Sequence, residues 1–445
     1  MKRFTGQALA CFLMCVLLGL PIELHAAQRN ILFFLADDLG WKDLGCYGSA
    51  FYETPHLDKL ASQGIRFTQA YTSSTVCSPT RASIITGQTP ARHGCTNYGG
   101  SISKSHIGLA KALANGGYQT FFTGKWHIGN LNPQLAGFQR SQEISARAGT
   151  PEDPKSTRKI TANTVKFLTE LDSDKPFFAY VNYHAVHLAL REAPELVAKY
   201  QAKLKANPPE TIGPMGLEKE RTRLNKQVQN IPEYAAMMEG IDNSVAEILS
   251  VLKKTGRAEN TLVIFTSDNG GLSTKPCTSN LPLRAGKGWA YEGGIRVPLI
   301  ACWPGIIDPD KQTDVPVTSM DFYPTLLHLA GLPLIPEQHV DGIDVSRLLT
   351  GGKRLERQAL YWHYPHYHGA GCIPVGAMRY KNWKLVHWFG EQRYELYDLH
   401  SDPSELEELS RRDPRKLLVM KRMLTEWQQS FPGIKYDNPN TLPKK

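Results

Sequence analysis

Four short, uninterrupted apolar runs mark the first 270 positions of the chain, and each ends in polar groups. Asn30–Ala36 (NILFFLA) leads into Asp37 and Asp38, residues 117–123 into Lys125 and His127, residues 176–183 (PFFAYVNY) into His184 and His187, and Thr261–Ser267 (TLVIFTS) into Asp268 and Asn269. Runs of this length without polar alternation are the pattern of strands buried on both faces of a sheet. In open α/β sheets the ligand crevice lies beyond the carboxyl ends of the strands, so four separate segments are expected to deliver polar groups to one rim. Between the last two runs, Pro232 opens a helix whose apolar positions Tyr234, Met238, Ile241, Val245, Ile248 and Leu252 keep the 3.6-residue period until Gly256. The stretch 192–230 is polar and Lys-rich, helix-prone but broken by Pro208, Pro209 and Pro214, and reads as a surface excursion over the sheet. Beyond Gly352 the character changes to short aromatic strands at 359–364, Val375–Tyr380, Trp383–Trp388 and 394–398, with Lys381-Asn382 as a hairpin turn and a last helix at 414–431. The pattern predicts an α/β domain over residues 28–352 and a smaller α+β domain with an antiparallel sheet over 353–445.

The start of the chain does not belong to either. Lys2 and Arg3, an apolar run from Ala8 to Leu20 and the small residues Ala26 and Ala27 read as a secretory signal over residues 1–27. The run is too short to span a bilayer, which needs about 20 apolar residues, so no stable membrane insertion is expected after cleavage. An exported chain, periplasmic or extracellular, follows from this leader. No Asn-x-Ser/Thr acceptor occurs, which favours a bacterial origin over a glycosylated one. The full chain carries a net charge of +9, which suits an anionic substrate, but no dense Lys/Arg run of the nucleic-acid-binding kind is present. Cys46, Cys77, Cys95, Cys277, Cys302 and Cys372 remain after the leader, and their pairing is not decided by spacing.

One of these cysteines stands in special company. Cys77-Ser78-Pro79-Thr80-Arg81-Ala82-Ser83, continuing to Gly87, resembles the signature of the formylglycine-dependent (type I) sulfatases of the alkaline-phosphatase-like superfamily, and the resemblance extends over nearly the whole chain. It implies a mixed central sheet flanked by helices, a small C-terminal domain, and oxidation of Cys77 to formylglycine by a maturation enzyme that reads Cys-x-Pro-x-Arg. Pro79 suits a first helical turn, so position 77 is expected at a helix N-terminus, where backbone dipoles favour an anion. Asp37, Asp38, Asp268 and Asn269, with the side chain at 77, match the family's metal pattern. Oxygen donors without imidazole select one hard cation, Ca²⁺ in first place and Mg²⁺ in second. Gly124-Lys125-Trp126-His127-Ile128-Gly129 resembles the block whose Lys and His bind sulfate and the formylglycine hydroxyl. Gly286-Lys287-Gly288 resembles the block of a second lysine that neutralises the ester oxygen. By the same resemblance Arg81 is expected to hold the nucleophile and the metal carboxylates. Of the two histidines after the third run, the family phrase Ala-x-His falls on His187, which is expected to protonate the leaving oxygen, with His184 as its neighbour.

The stretch Trp362, His363, Tyr364, His366, Tyr367 and His368 is individual to this chain; flat aromatics with imidazoles suit a sugar, and His363 and His366 are its candidate substrate-binding residues. The expected activity is hydrolysis of sulfate esters of a carbohydrate, with aryl sulfates as model substrates. The alternatives are cleavage of a phosphodiester or phosphonate ester, and a non-catalytic binder of sulfated glycans should Cys77 stay unmodified.

Overall fold

A computed structural model describes residues 29–145, 147–172, 175–210, 217–275 and 277–431, so the leader at 1–27 lies outside the described residues. In chain order the strands are β1 (Asn30–Ala36), β2 (Ile65–Tyr71), β3 (Gln119–Gly124), β4 (Arg140–Glu143), β5 (Phe177–Asn182), β6 (Leu217–Glu220), β7 (Arg223–Lys226), β8 (Thr261–Ser267), β9 (Arg296–Cys302), β10 (Lys311–Thr313), β11 (Val317–Thr318), β12 (Leu360–Tyr364), β13 (Val375–Tyr380), β14 (Trp383–Trp388) and β15 (Arg393–Asp398). The principal helices are α1 (Pro55–Ser62), α2 (Cys77–Thr86), α3 (Leu109–Asn115), α4 (Thr157–Thr169), α5 (Pro194–Ala206), α6 (Pro232–Lys254), α7 (Phe322–Leu329) and α8 (Pro414–Gln429).

The large sheet runs β10-β2-β9-β8-β1-β5-β3-β4, with β11 also on β2. Its centre, β8-β1-β5-β3, is parallel throughout, whereas β9 runs antiparallel to both β8 and β2. The four apolar runs are therefore neighbours in space and end on the same rim. Alternate residues of β1 feed opposite cores. Leu32, Phe34 and Ala36 pack with residues of α1, α4, α5 and α6, while Ile31, Phe33 and Leu35 pack with residues of α2, α3 and α7. A strand covered on both sides has no solvent face, which is why its sequence shows no alternation.

The excursion after β5 is helical only in its first half. α5 follows the expected propensity, but the second half folds into the β6–β7 hairpin. Tertiary partners decide this: Glu220 takes a two-pronged ion pair from Arg284 at 2.8 and 2.9 Å, and the Lys226 N–H donates to the Ser273 carbonyl at 3.0 Å. The C-terminal strands form a separate antiparallel sheet, β12-β13-β14-β15. α8 covers one face through Met420 and Leu424, and the other face carries Trp362, Val375, Ala377, Val386 and Trp388 against Tyr71, Val76, Trp289 and Ile295. Val76 immediately precedes Cys77, so the small sheet backs the loop that presents it. The six cysteines among the described residues are all unpaired. No helix among the described residues is long and apolar enough to cross a membrane.

Candidate active site

All four rim segments reach the site by continuing the backbone ladder past their strands, the one after β5 through the Val186 N–H, which donates to the Asp37 carbonyl at 2.8 Å. Asp37 N–H donates to the Ala185 carbonyl, Asp268 N–H to the Ala36 carbonyl and Lys125 N–H to the Asn182 carbonyl, at 3.1 to 3.2 Å. Gly124 is required for the last of these: its φ is +101° and a Cβ there would stand 1.7 Å from the Asn182 carbonyl oxygen. Asp38 takes a left-handed φ of 64°, a conformation Asp tolerates better than most residues. The turn it makes sets the two adjacent carboxylates apart, Asp37 toward Lys125 and Asp38 toward Lys287.

Cys77 opens α2, with Val76 extended before it and Pro79 in the first turn. Arg81 is one turn further on and therefore shares its face. The Arg81 Nε–H donates to Asp268 Oδ2 at 2.8 Å, and Nη1 donates to the Lys125 carbonyl at 2.7 Å. The Lys125 ammonium lies 2.5 Å from Asp37 Oδ2, and Lys287 lies 2.6 Å from Asp38 Oδ1. All of these groups are buried. His127, on a left-handed backbone, brings Nδ1 to 3.3 Å from Cys77 Sγ.

The charges are unevenly matched. Burial works against ionised Asp37, yet Lys125, His187, Arg81 and Lys287 outweigh it and hold the group well below the usual carboxylate range. For Asp268, burial together with Asp37 and Asp38 outweighs Arg81 and pushes it up to about 6. Burial also raises the Cys77 thiol, against the pull of Lys125 and Lys287. The site thus stores acceptors with unmet demand: Asp37 Oδ1 and Asn269 Oδ1 are buried without a hydrogen-bond partner. Asp37, Cys77 and Asp268 each offer a ligand atom, all within 4.8 Å of one another. Crowded, unsatisfied oxygen donors of this kind fit a hard cation.

His187 and His184 separate cleanly. His184 is buried and donates Nε2–H to the Ile144 carbonyl at 2.7 Å, whereas His187 is 38% exposed and donates Nδ1–H to its neighbour's carbonyl, Leu188, at 2.8 Å. The His187 Nε2 is left toward the site, 3.8 Å from Asp38 Oδ2. A cavity of about 380 Å³ opens over this centre, lined by Val76, Cys77, Tyr98, His127, His187, Leu188, Leu272, Lys275, Lys287, His368 and Gly369. A second cleft of about 590 Å³ shares His127, His187 and Leu188 and adds Lys125, Lys155 and Glu143.

The expected sugar-facing histidines fall elsewhere. His363 points into the small sheet, 3% exposed and 5.5 Å from the Phe389 ring, because the inward positions of β12 belong to the core. His366 meets the Thr96 hydroxyl through Nε2 at 3.0 Å. His368 takes the place on the cavity wall instead. Lys155, Tyr98 and Lys275 escaped the sequence reading altogether. Lys155, whose ammonium donates to the His187 carbonyl, comes from a polar loop with no motif around it.

The comparisons with known proteins bear on the family of the chain. The sulfatase family model matches residues 29–332, and that of N-sulphoglucosamine sulphohydrolase, C-terminal, matches residues 285–430. Arylsulfatase A of Homo sapiens is 34% identical over 424 residues, covering 82% of this chain and 77% of its own length. N-acetylgalactosamine-6-sulfatase of Canis lupus familiaris is 32% identical over 404 residues, covering 79% and 71%. Among solved structures, Ps i-CgsB in complex with k-i-k-neocarrahexaose aligns with a TM-score of 0.78 at 25% identity, over 94% of this chain and 95% of that one. Fold and relatives define a hydrolase of the alkaline-phosphatase-like superfamily. Within it, the chain belongs to the sulfatase family and is a sulfuric ester hydrolase.

Proposed function

We propose that this protein releases sulfate from a sulfated carbohydrate, using a formylglycine matured from Cys77 and one hard divalent cation, calcium before magnesium. The observation that carries the reading is the convergence on one helix N-terminus of Cys77, four oxygen-donor side chains and three buried cations. Asp37, Asp38, Asp268 and Asn269 would hold the metal, which supplies Lewis acidity toward a sulfate oxygen and the nucleophile. Hydrated formylglycine supplies two hydroxyls on one carbon, one to bond sulfur and displace the alcohol, the other to lose its proton so that the aldehyde re-forms and sulfate leaves. An unmodified thiol held protonated by burial has neither property.

The protein's own groups do the rest. Lys125 and Lys287 offset charge on the sulfate and ester oxygens from preorganised positions, each removal costing about 10²–10³ in rate. Arg81 orients Asp268 and the Lys125 backbone and so holds both sides of the site in register. His127 is pressed down to about 3 by burial, Lys125 and Arg81, and stays neutral as a hydrogen-bond partner for the side chain at 77. His187, its Nδ1–H fixed on the Leu188 carbonyl, turns Nε2 to the leaving oxygen; in the imidazolium form it gives the Nε2 proton to that oxygen and is left as the neutral Nδ1–H ring.

A carbohydrate is favoured because one relative is named for a sulfated amino sugar and a structural neighbour holds an oligosaccharide. Export through the leader at 1–27 places the chain where such polymers are met, and maturation requires a formylglycine-generating enzyme in the host. The deciding experiment is peptide mass spectrometry of native protein combined with a sulfate-release assay. The peptide spanning position 77 carries the aldehyde or its hydrate in active protein; a free thiol in fully active protein overturns the mechanism.

A further inference from the structure

The centre described above uses its cations internally: Lys125 faces Asp37, Lys287 faces Asp38 and Arg81 faces Asp268. One cation on the cavity wall is not used in this way. Lys275 is exposed, lines the cavity beside Gly369, and has no carboxylate within ion-pair distance among the described residues. Next to it stands His368, whose ring lies so close to Gly288 that a Cβ there would come within 2.2 Å of its Nδ1. That Nδ1 accepts the Ala370 N–H at 3.2 Å. Burial, reinforced by Lys287 and Lys275, presses the imidazole down to about 4, so near neutrality it holds a single proton. With Nδ1 occupied as an acceptor, that proton sits on Nε2 and makes it a donor. Tyr98, 61% exposed on the same wall, offers a flat face of the kind that stacks on a sugar ring.

We infer that the sulfated sugar carries a second anionic group on the same unit, a sulfate or a carboxylate, which pairs with Lys275 while His368 Nε2–H donates to an adjacent ring oxygen. The inference rests on the sulfatase reading and narrows its substrate class. A neutral hydroxyl would use an unpaired ammonium poorly, whereas a charge-assisted hydrogen bond in a partly closed cavity is worth about ten-fold in binding.

The test compares kcat/KM of mature enzyme on an aryl sulfate, a monosulfated hexosamine, the same sugar with a second sulfate, and a sulfated uronic acid. The wild type prefers the doubly anionic sugars, and the pair tells which second anion fits. Lys275→Gln lowers the ratio of doubly to singly anionic kcat/KM by about ten-fold, mainly through KM, and Lys275→Arg restores most of it. His368→Ala lowers kcat/KM on the sugars more than on the aryl sulfate. A ratio unchanged in Lys275→Gln, or a wild type that prefers the monosulfated sugar, overturns the inference while aryl sulfate turnover leaves the sulfatase reading standing. Absence of sulfate release from all four compounds overturns both.

Discussion

Two clusters of buried charge draw on the same stretch of chain, one through Lys287 and the other through Glu292, and they are built to different specifications. In the first, Lys384 of β14 is fully buried between Glu292 and Glu405, 3.0 and 2.8 Å away. Glu292 uses both oxygens, accepting from Lys384 and from the Tyr71 hydroxyl at 2.7 Å, and Glu405 also accepts the Glu292 N–H at 2.6 Å. This triad joins the large sheet to the small one and answers each carboxylate with a cation: Glu405 Oε1, although it accepts no hydrogen bond, meets Lys384 in an ion pair. In the second, the cluster around Cys77, comparable burial leaves Asp37 Oδ1 and Asn269 Oδ1 without partners. A structural ion network closes on its own members, whereas a catalytic one keeps unsatisfied acceptors pointed at something the chain does not supply.

The largest effect that separates the two is on turnover. Cys77→Ser is expected to keep the fold but lose more than 10³ in steady-state rate, because a serine hydroxyl has no geminal partner to expel sulfate. Mass spectrometry of the variant after exposure to an aryl sulfate should find sulfate on the introduced side chain; steady multiple turnover would break the assignment of the site. Lys384→Met attacks the other cluster. It removes the cation shared by two buried carboxylates, leaving Glu292 to Arg296 and Glu405 without its ion pair, and should cost about 3–5 kcal/mol in urea unfolding, with kcat on an aryl sulfate retained by the folded fraction.

The triad also predicts a pH signature. Burial opposes ionised Glu292, but Lys384, Arg296 and Arg379 outweigh it and bring it from 4.5 to about 2. Its contribution, at most about 3 kcal/mol, is therefore present above pH 4.5 and lost as pH falls toward 2. Burial raises Glu405 to about 7 against Lys384, so its protonated form adds stability below pH 4.5 that is lost as pH rises through 7. Glu292→Gln should flatten the acid limb of the stability profile and Glu405→Gln the limb between 4.5 and 7; identical profiles for the two would show that the triad does not titrate as assigned. The smallest effect sharpens the contrast directly. Stripping the cation should lower stability by about 2–3 kcal/mol relative to protein held at a hundred times its Kd of calcium, and by the same amount in Lys384→Met, since the two clusters share no member. Restoration by zinc but not by calcium or magnesium would mean that the oxygen donors have been misread.

What was legible in the sequence was whatever depends on neighbours along the chain. Strands β1, β5 and β8 were visible because burial on both faces forbids alternation, and the residues just past them had to share a rim once the strands were parallel. Cys77 at a helix start and Arg81 one turn later followed from Pro79 and the helical repeat, and Asp37, Asp38, Asp268 and Asn269 from their places after strands. Tertiary structure alone decided the remainder. The β6–β7 hairpin replaced an expected helix because Arg284, 64 residues beyond Glu220, supplies an ion pair that local propensity does not contain. In the aromatic stretch, inward and outward positions are set by the register of β12 on β13 and by the course of the chain after it. That pairing sends His363 into the core and leaves His368 for the cavity. Lys155 and Lys275 carry no motif, since a long side chain on a polar loop acquires its role only from what folding places beside it. Sequence periodicity specifies which face of an element is buried; which buried or exposed group meets which is a property of packing between segments hundreds of residues apart.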